Sequence, residues 1–182
     1  MGINKVAKKA IGKKASELIT DNDTLFIDCG STPFQIAQHL IGKKNIRIIT
    51  NSLPVVSELI HDSEIRIIFL GGEVVNTRHA TQGAMAERFI AEYRADKAFI
   101  GADGFSFENG LSAYDEREGA VSLKMMEQSR ESYLVCDSSK LEKDSLYRFA
   151  PVTRLTALIT DDRAQPEIIS RLRKQNITVI TA

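Results

Sequence analysis

Short runs of consecutive apolar residues alternate with amphipathic helical segments along almost the whole chain. Strands that are apolar at successive positions are typical of a parallel sheet covered on both faces, with helices as the crossovers. We therefore expect one α/β domain over residues 1–182, with a mostly parallel sheet covered by helices. The pattern predicts strands over 24–27, 46–49, 65–70, 98–100, 133–135, 156–159 and 177–180.

Helical spacing of apolar residues predicts helices over 4–19, from the turn at 30–32 through Ile41, and over about 54–60. A further helix is predicted after Ser112 or Asp115, either of which could cap it, with Val121 and Met125 on its apolar face. Additional structure is expected near 73–95 and 141–151.

The composition is that of a soluble globular chain. Hydrophobic residues make up 43% of the 182 residues, and Lys+Arg and Asp+Glu both total 24, so the formal net charge is zero. A protein that grips nucleic acid through its whole surface carries an excess of positive charge, so charge gives no support for direct nucleic-acid binding. The apolar run at 67–70 is far below the roughly 20 residues of a membrane helix.

Without an export signal, we expect a cytoplasmic protein in which Cys29 and Cys136 are buried, reduced thiols. Two cysteines alone make neither a disulfide framework nor a zinc site, and the three histidines are scattered. The sequence predicts no metal and no cofactor.

Five of the predicted strands end in clusters of small or polar residues. The carboxyl ends of parallel strands share one edge of the sheet, where ligands of open α/β sheets bind. Gly30, Ser31 and Thr32, at the start of a predicted helix, form the best phosphate cradle, although an ordinary helix cap is the alternative. The clusters are DCGST (28–32), TNS (50–52), GGE (71–73), GADG (101–104) and DSSK (137–140).

Charged residues of these clusters suit two kinds of ligand group. Asp28, Asp103 and Asp137 fit recognition of sugar hydroxyls better than contact with phosphate, because a carboxylate repels an anion. Arg78 and Lys140 are the candidates for phosphate binding, with exposed surface positions as the alternative.

Motifs of common nucleotide-binding and hydrolytic enzymes are absent: there is no GxGxxG, Walker loop, HExxH or GxSxG. A general acid/base role for Glu118 is only weakly indicated. A sugar-phosphate isomerase that binds its substrate at this edge of the sheet is one possible function, and it would need Asp103 or Glu118 as its base. Another is an oligomerisation platform, in which the polar turns only cap the helices.

The polar clusters occur in an order that resembles the effector-sensing domain of DeoR-type transcriptional repressors. The resemblance runs from about Lys8 to the C-terminus. It rests on the segments 26–32, 50–52, 70–72, 95–104, 137–140 and 158–161.

This resemblance implies a fold like that of ribose-5-phosphate isomerase and CoA-transferase domains, and a non-catalytic sensor for a phosphorylated sugar or polyol. In that family the ligand acts as inducer and releases a helix-turn-helix domain from its operator. The resemblance assigns ligand contacts to Asp28, Gly30, Ser31, Thr32, Asn51, Ser52, Gly71, Gly72, Arg78, Asp103, Gly104, Asp137 and Lys140.

The sequence departs from the family pattern in two places. Only residues 1–23 precede the first strand, too few for a helix-turn-helix, so DNA contact is expected only through a missing N-terminal domain that residues 1–20 would join. Ser122 stands where the family commonly has a basic residue four positions after the residue matching Glu118, and the nearby lysine is Lys124. The resemblance also implies a homo-oligomer, and the short apolar runs predict no membrane partner.

Overall fold

The computed structural model describes residues 4–182, which contain six α-helices and twelve strands. The helices are α1 (Lys5–Ser16), α2 (Phe34–Ala37), α3 (Leu53–Leu59), α4 (Ala84–Ala91), α5 (Glu116–Glu127) and α6 (Pro166–Lys174). The strands are β1 (Thr24–Ile27), β2 (Ile46–Thr50), β3 (Ile65–Phe69), β4 (Glu73–Val75), β5 (Ala80–Gln82), β6 (Ala95–Ile100), β7 (Gly104–Ser106), β8 (Gly110–Ala113), β9 (Ser129–Val135), β10 (Tyr147–Ala150), β11 (Ala157–Thr160) and β12 (Thr178–Thr181).

Seven strands form the main sheet in the order β12-β11-β9-β6-β1-β2-β3, and every neighbouring pair is parallel. The α/β class and the mostly parallel sheet predicted from the continuous apolar runs are thus confirmed. All seven predicted strands are present, with ends that differ by up to four residues.

Alternate residues of each strand pack into one of two cores, one on each face of the sheet. Leu25 and Ile27 of β1 face the core formed with α1, α2 and α3. Phe26, between them, faces the core formed with α4, α5 and α6. The helices therefore cover both faces, which is why the central strands are apolar at successive positions.

The chain leaves β1 in one direction to build β2 and β3, and then returns to place β6 on the other side of β1. This reversal leaves a crevice beyond the carboxyl ends of β1 and β6, the usual ligand position in an open α/β sheet. The loop that follows β1 is fastened there, since the Asp28 N–H donates to the Phe99 carbonyl over 3.1 Å.

Two smaller sheets lie at the carboxyl edge of the main sheet. The hairpin β4-β5 and helix α4 account for the structure expected near 73–95, and β10 accounts for that near 141–151. The antiparallel sheet β10-β8-β7 packs its apolar side, including Phe105 and Phe149, into the core beneath α5.

The helix predicted from residue 30 through Ile41 is wrong in length, because α2 has only four residues. Around it the backbone makes hydrogen bonds to the third residue back, from Ile36 to Pro33 and from Leu40 to Ala37. These tight turns bring Ile36 and Leu40 into the core without a longer helix. No helix within residues 4–182 is long and apolar enough to cross a membrane.

Candidate functional site

A cavity of about 180 Å³ lies at the carboxyl edge of the sheet, at the crevice between β1 and β6. We call it the switch-point cavity. The predicted site residues at its wall are Gly30, Ser31, Thr32, Arg78, Asp103, Asp137 and Lys140. The other residues that line the cavity are Lys8, Cys29, Pro33, Gly101, Ala102, Glu118, Val135 and Cys136.

The loop after β1 forms one side of the cavity. Asn51 positions it, since the Asn51 Oδ1 accepts a hydrogen bond of 3.0 Å from the Cys29 N–H. Ser31 is exposed on this loop, and its hydroxyl accepts a 2.8 Å hydrogen bond from the Lys8 ammonium. Because α2 is a single turn, its dipole adds little, so an anion here would depend on these side chains and on loop N–H groups.

Arg78 reaches the cavity from the turn between β4 and β5. Its guanidinium donates a hydrogen bond to Glu118 Oε1 and lies 3.7 Å from Asp103 Oδ2. Burial opposes the charged form of Arg78, but the hydrogen bond and charge of Glu118 outweigh this and raise the pKa of the guanidinium. Arg78 therefore carries its positive charge into the cavity already paired with carboxylates.

Two aspartates and a lysine come from the loops after β6 and β9. Asp103 Oδ2 accepts from the Tyr114 N–H over 3.0 Å, and its Oδ1 lies 4.0 Å from the Lys140 ammonium. Asp137 Oδ1 accepts from the Ser139 N–H over 3.1 Å and so caps the short 3₁₀ turn that carries Lys140.

Glu118 lies in the first turn of α5, which begins after Asp115, one of the two residues predicted as its cap. It is buried, and burial raises the pKa of its carboxyl group despite the neighbouring Arg78. The sequence indicated this residue only weakly, because a glutamate in a first helical turn is common on any surface. Lys124 pairs instead with Glu127 on the outer part of the same helix and does not line the cavity.

Asp28 lies beneath the cavity instead of at its wall, with only 1% of its surface exposed. Its carboxyl group accepts hydrogen bonds from the Cys29 N–H (2.7 Å), the Gly101 N–H (3.3 Å) and the Ser122 hydroxyl (2.8 Å). Burial, with the negative charge of Glu118, raises the pKa of Asp28 to about 7. Asp28 thus ties the loops after β1 and β6 to α5.

Five other predicted ligand contacts also lie off the cavity wall. Asn51 and Ser52 are buried, and Ser52 caps α3 while lining an adjoining groove of about 340 Å³ that shares Gly30, Ser31 and Arg78 with the cavity. The remaining three are the glycines Gly71, Gly72 and Gly104, which are packed closely against Phe89, Gln82 and Lys143 respectively. At Gly72, a β-carbon would come within 2.7 Å of the Gln82 carbonyl oxygen.

Lys8 is a charged residue of the cavity wall that the sequence did not single out. It is one of five lysines in α1, and helical spacing alone does not distinguish it from the other four. Cys29 and Cys136 are buried free thiols in the loops that follow β1 and β9, and burial raises the pKa of both thiols. Within residues 4–182 there is no cluster of three or more His, Cys, Asp and Glu side chains that could hold a metal ion.

The cavity thus combines three cations, Lys8, Arg78 and Lys140, with the three carboxylates of Asp103, Glu118 and Asp137. The cations can bind oxyanions, and the carboxylates can accept hydrogen bonds from hydroxyl groups.

The class of fold is shown by solved structures. The chain superposes on ribose 5-phosphate isomerase A from Methanocaldococcus jannaschii with a TM-score of 0.54 at 20% identity, covering 76% of this chain and 55% of the isomerase.

A similar match is found with 4-hydroxybutyrate CoA-transferase from Porphyromonas gingivalis, with a TM-score of 0.54 at 15% identity, covering 86% of this chain and 46% of the transferase. Both likenesses show the fold alone.

Residues 3–162 match the DeoR C terminal sensor domain family. The chain belongs to this family, as the order of its polar clusters predicted.

Curated relatives agree with this assignment. The chain is 35% identical over 183 residues to the lactose phosphotransferase system repressor of Lactococcus lactis, covering 99% of this chain and 71% of that protein. It is 32% identical over 154 residues to the glycerol-3-phosphate regulon repressor of Escherichia coli K12, covering 85% of this chain and 61% of that protein. The chain spans 61–66% of the length of the first curated relatives it matches.

Proposed function

We propose that this chain is the effector-binding part of a DeoR-family transcriptional repressor and that its effector is a phosphorylated sugar or polyol. The observation that carries the proposal is the pairing of three cations with three carboxylates around one small cavity at the crevice between β1 and β6. A phosphate ester of a polyhydroxylated molecule has both of the groups that such a wall can bind.

Phosphate would bind to the cationic groups, because charged hydrogen bonds to an oxyanion are stronger than neutral ones. Hydroxyl groups would donate to Asp103 and Asp137, whose carboxylates accept hydrogen bonds only. The names of two relatives, a glycerol-3-phosphate regulon repressor and a lactose phosphotransferase system repressor, support this class of effector.

DNA binding would belong to a further, N-terminal domain, and the coverage of only 61–66% of the first curated relatives supports this. The effector would change operator affinity only by binding one conformation of the whole repressor more tightly than another. Such a regulator would act in the cytoplasm. Self-association of the sensor also stays a prediction, which sedimentation velocity of the 182-residue chain would measure.

The direct test is a thermal-shift screen against phosphorylated sugars and polyols, each beside its unphosphorylated parent. A ligand at a hundredfold excess over its Kd stabilises the folded state by about 2.7 kcal/mol. At roughly 2–4 °C per kcal/mol, this corresponds to a Tm rise of about 5–10 °C. If no phosphorylated compound raises Tm, the proposal fails and the polar turns are better explained as caps of an oligomerisation platform.

A sugar-phosphate isomerase is the second candidate, because Glu118 and Asp103 place carboxylates at the wall of a cavity in an isomerase-like fold. Glu118 is, however, hydrogen-bonded to Arg78, which restrains it from acting as a base. Incubation of the stabilising ligands with the protein, followed by proton NMR, separates the two functions. Turnover would show an enzyme, and unchanged spectra with a raised Tm would support the sensor.

A further inference from the structure

Lys8 is the one cavity-lining residue contributed by α1, and its charge is less committed than that of the other cations. Its ammonium is bonded to the Ser31 hydroxyl. Among residues 4–182, no carboxylate lies within 4.0 Å of this ammonium, whereas Arg78 contacts Glu118 and Asp103, and Lys140 contacts Asp103. An incoming anion could pair with Lys8 without displacing a carboxylate.

The first turn of α1 is also fastened to the opposite group of loops. Asn4, the residue before the helix, directs its side-chain amide away from the helix and donates to Asp137 Oδ1 over 2.9 Å. Asn4, in a left-handed conformation just before the helix, and Lys8, in its first turn, both direct their side chains to loops at the cavity. Through them, the start of α1 touches the loop after β1 and the loop after β9, both of which line the cavity.

The rest of α1 is held differently. Ile11 and Ala15 are fully buried in the core with α2 and α3, and Gly12 packs directly against the backbone of Gln35. The helix body is thus fixed by apolar packing, whereas its first turn depends on two polar contacts with cavity residues. A ligand that occupies the cavity acts on the second set of contacts and leaves the first unchanged.

We propose that Lys8 is part of the anion site and that the first turn of α1 reports occupancy of the cavity to the segment that precedes the helix. This inference rests on the proposed function, since it requires an anionic ligand in the switch-point cavity. A bound phosphate group accepts hydrogen bonds from the Lys8 ammonium and the Ser31 hydroxyl together. The first turn is then anchored more firmly than by the neutral hydroxyl alone.

The test compares Lys8→Met with Lys9→Met, because Lys9 is the next residue on the same helix and is exposed to solvent. Lys8→Arg is the conservative variant that keeps the charge. Affinity for inorganic phosphate and for glycerol 3-phosphate is measured for each variant at constant ionic strength, and Tm without ligand confirms that each variant is folded.

We expect Lys8→Met to weaken binding of both probes about tenfold or more, the effect of one charged hydrogen bond. Binding by Lys9→Met should stay within about twofold of the wild type, and Lys8→Arg should recover most of the loss. Equal binding by Lys8→Met and Lys9→Met would overturn the role of Lys8. If the wild type binds neither probe nor any other phosphate ester, the proposed function fails and this inference fails with it.

Hydrogen–deuterium exchange tests the reporting role separately. Glycerol 3-phosphate should slow exchange of the amides of residues 8–10 in the wild type and in Lys9→Met, and this slowing should be lost in Lys8→Met. If the wild type binds the probe and those amides exchange at an unchanged rate, α1 does not report occupancy, even where Lys8 contributes to affinity.

Discussion

Asp28 shows how much a single buried carboxyl group can contribute to the behaviour of this protein. It receives three hydrogen bonds and has no salt-bridge partner among residues 4–182. With a pKa of about 7 in the folded state, it keeps its proton at acidic and near-neutral pH. In the unfolded chain an aspartate loses its proton near pH 4.

We predict that this difference makes stability fall as pH rises from about 4 to 7. Over that range the unfolded state releases a proton that the folded state keeps, so the full contribution is present below pH 4 and is lost as pH passes 7. The loss is at most about 1.4 kcal/mol per pH unit. Urea unfolding at several pH values, compared between the wild type and Asp28→Asn, measures it, because the variant lacks this titration.

Asp162→Asn is the matched control, since Asp162 is exposed and should leave the pH dependence of the wild type unchanged. Parallel stability curves for the wild type and Asp28→Asn would show that Asp28 ionises normally. Glu118, whose pKa is also raised by burial, adds a contribution of the same sign that both proteins retain.

Ser31→Asp tests the proposed phosphate site on the loop after β1. Ser31 is exposed, so the substitution should change the stability of the ligand-free protein by about 0.5 kcal/mol or less. The new carboxylate would pair with Lys8 and repel an oxyanion, so stabilisation by phosphate esters should be abolished. Thermal shift measures both effects, and Ser63→Asp, in an exposed turn after α3, is the control. Unchanged stabilisation by the ligand in Ser31→Asp would exclude this loop as the phosphate site.

The packing of α1 against α2 gives a prediction about whole elements. Alanine is usually favoured over glycine inside a helix by about 1 kcal/mol. At Gly12, however, a β-carbon would lie 2.7 Å from the carbonyl carbon of Gln35 and 2.9 Å from its oxygen. We expect Gly12→Ala to push the two elements apart and to destabilise the protein by about 1–3 kcal/mol.

Chemical denaturation measures this loss, with Lys9→Ala as the control on the exposed face of the same helix. The control should change stability by about 0.5 kcal/mol or less. A stabilised Gly12→Ala would show that α1 and α2 can separate without cost.

The elements that the sequence predicts well are strands with runs of consecutive apolar residues. The seven parallel strands belong to this group because both of their faces are covered. Strands β7 and β8 were not predicted, since they contain glycine and serine and hold no apolar run. The length of α2 could not be predicted either, because Ile36 and Leu40 reach the core from successive tight turns as well as from a helix.

For the candidate site, the sequence located the loops but not the direction of each side chain. The polar clusters after β1, β6 and β9 do line the cavity, because strand order brings them together. Asp28 points beneath the wall to meet Ser122, a residue 94 positions away in the chain. Lys8 lies in α1, which precedes β1, yet it contacts Ser31 in the loop that follows β1. Such contacts depend on tertiary packing, which periodicity does not report.

Across the whole molecule, the two cores share the strands of one sheet, and the small sheet β10-β8-β7 contributes to the larger core. We predict that the chain unfolds in a single transition, since both cores within residues 4–182 are built on the strands of the same sheet. Far-UV circular dichroism and tyrosine fluorescence should give coincident denaturation curves. Two separated transitions would show that the small sheet and α5 unfold independently.

The groove formed by Asn4, Val6, Ala10, Asp161 and Ala182 brings the first described turn and the last residue of the chain side by side. Residues 4 and 182 could be joined by a short linker, and new ends could be opened at an exposed turn elsewhere. The turn at 60–64, between α3 and β3, is such a turn. A circular permutant that joins residue 4 to residue 182 and is opened there would keep the loops that line the cavity in place. On the proposed function, it should bind the same phosphate esters as the wild type.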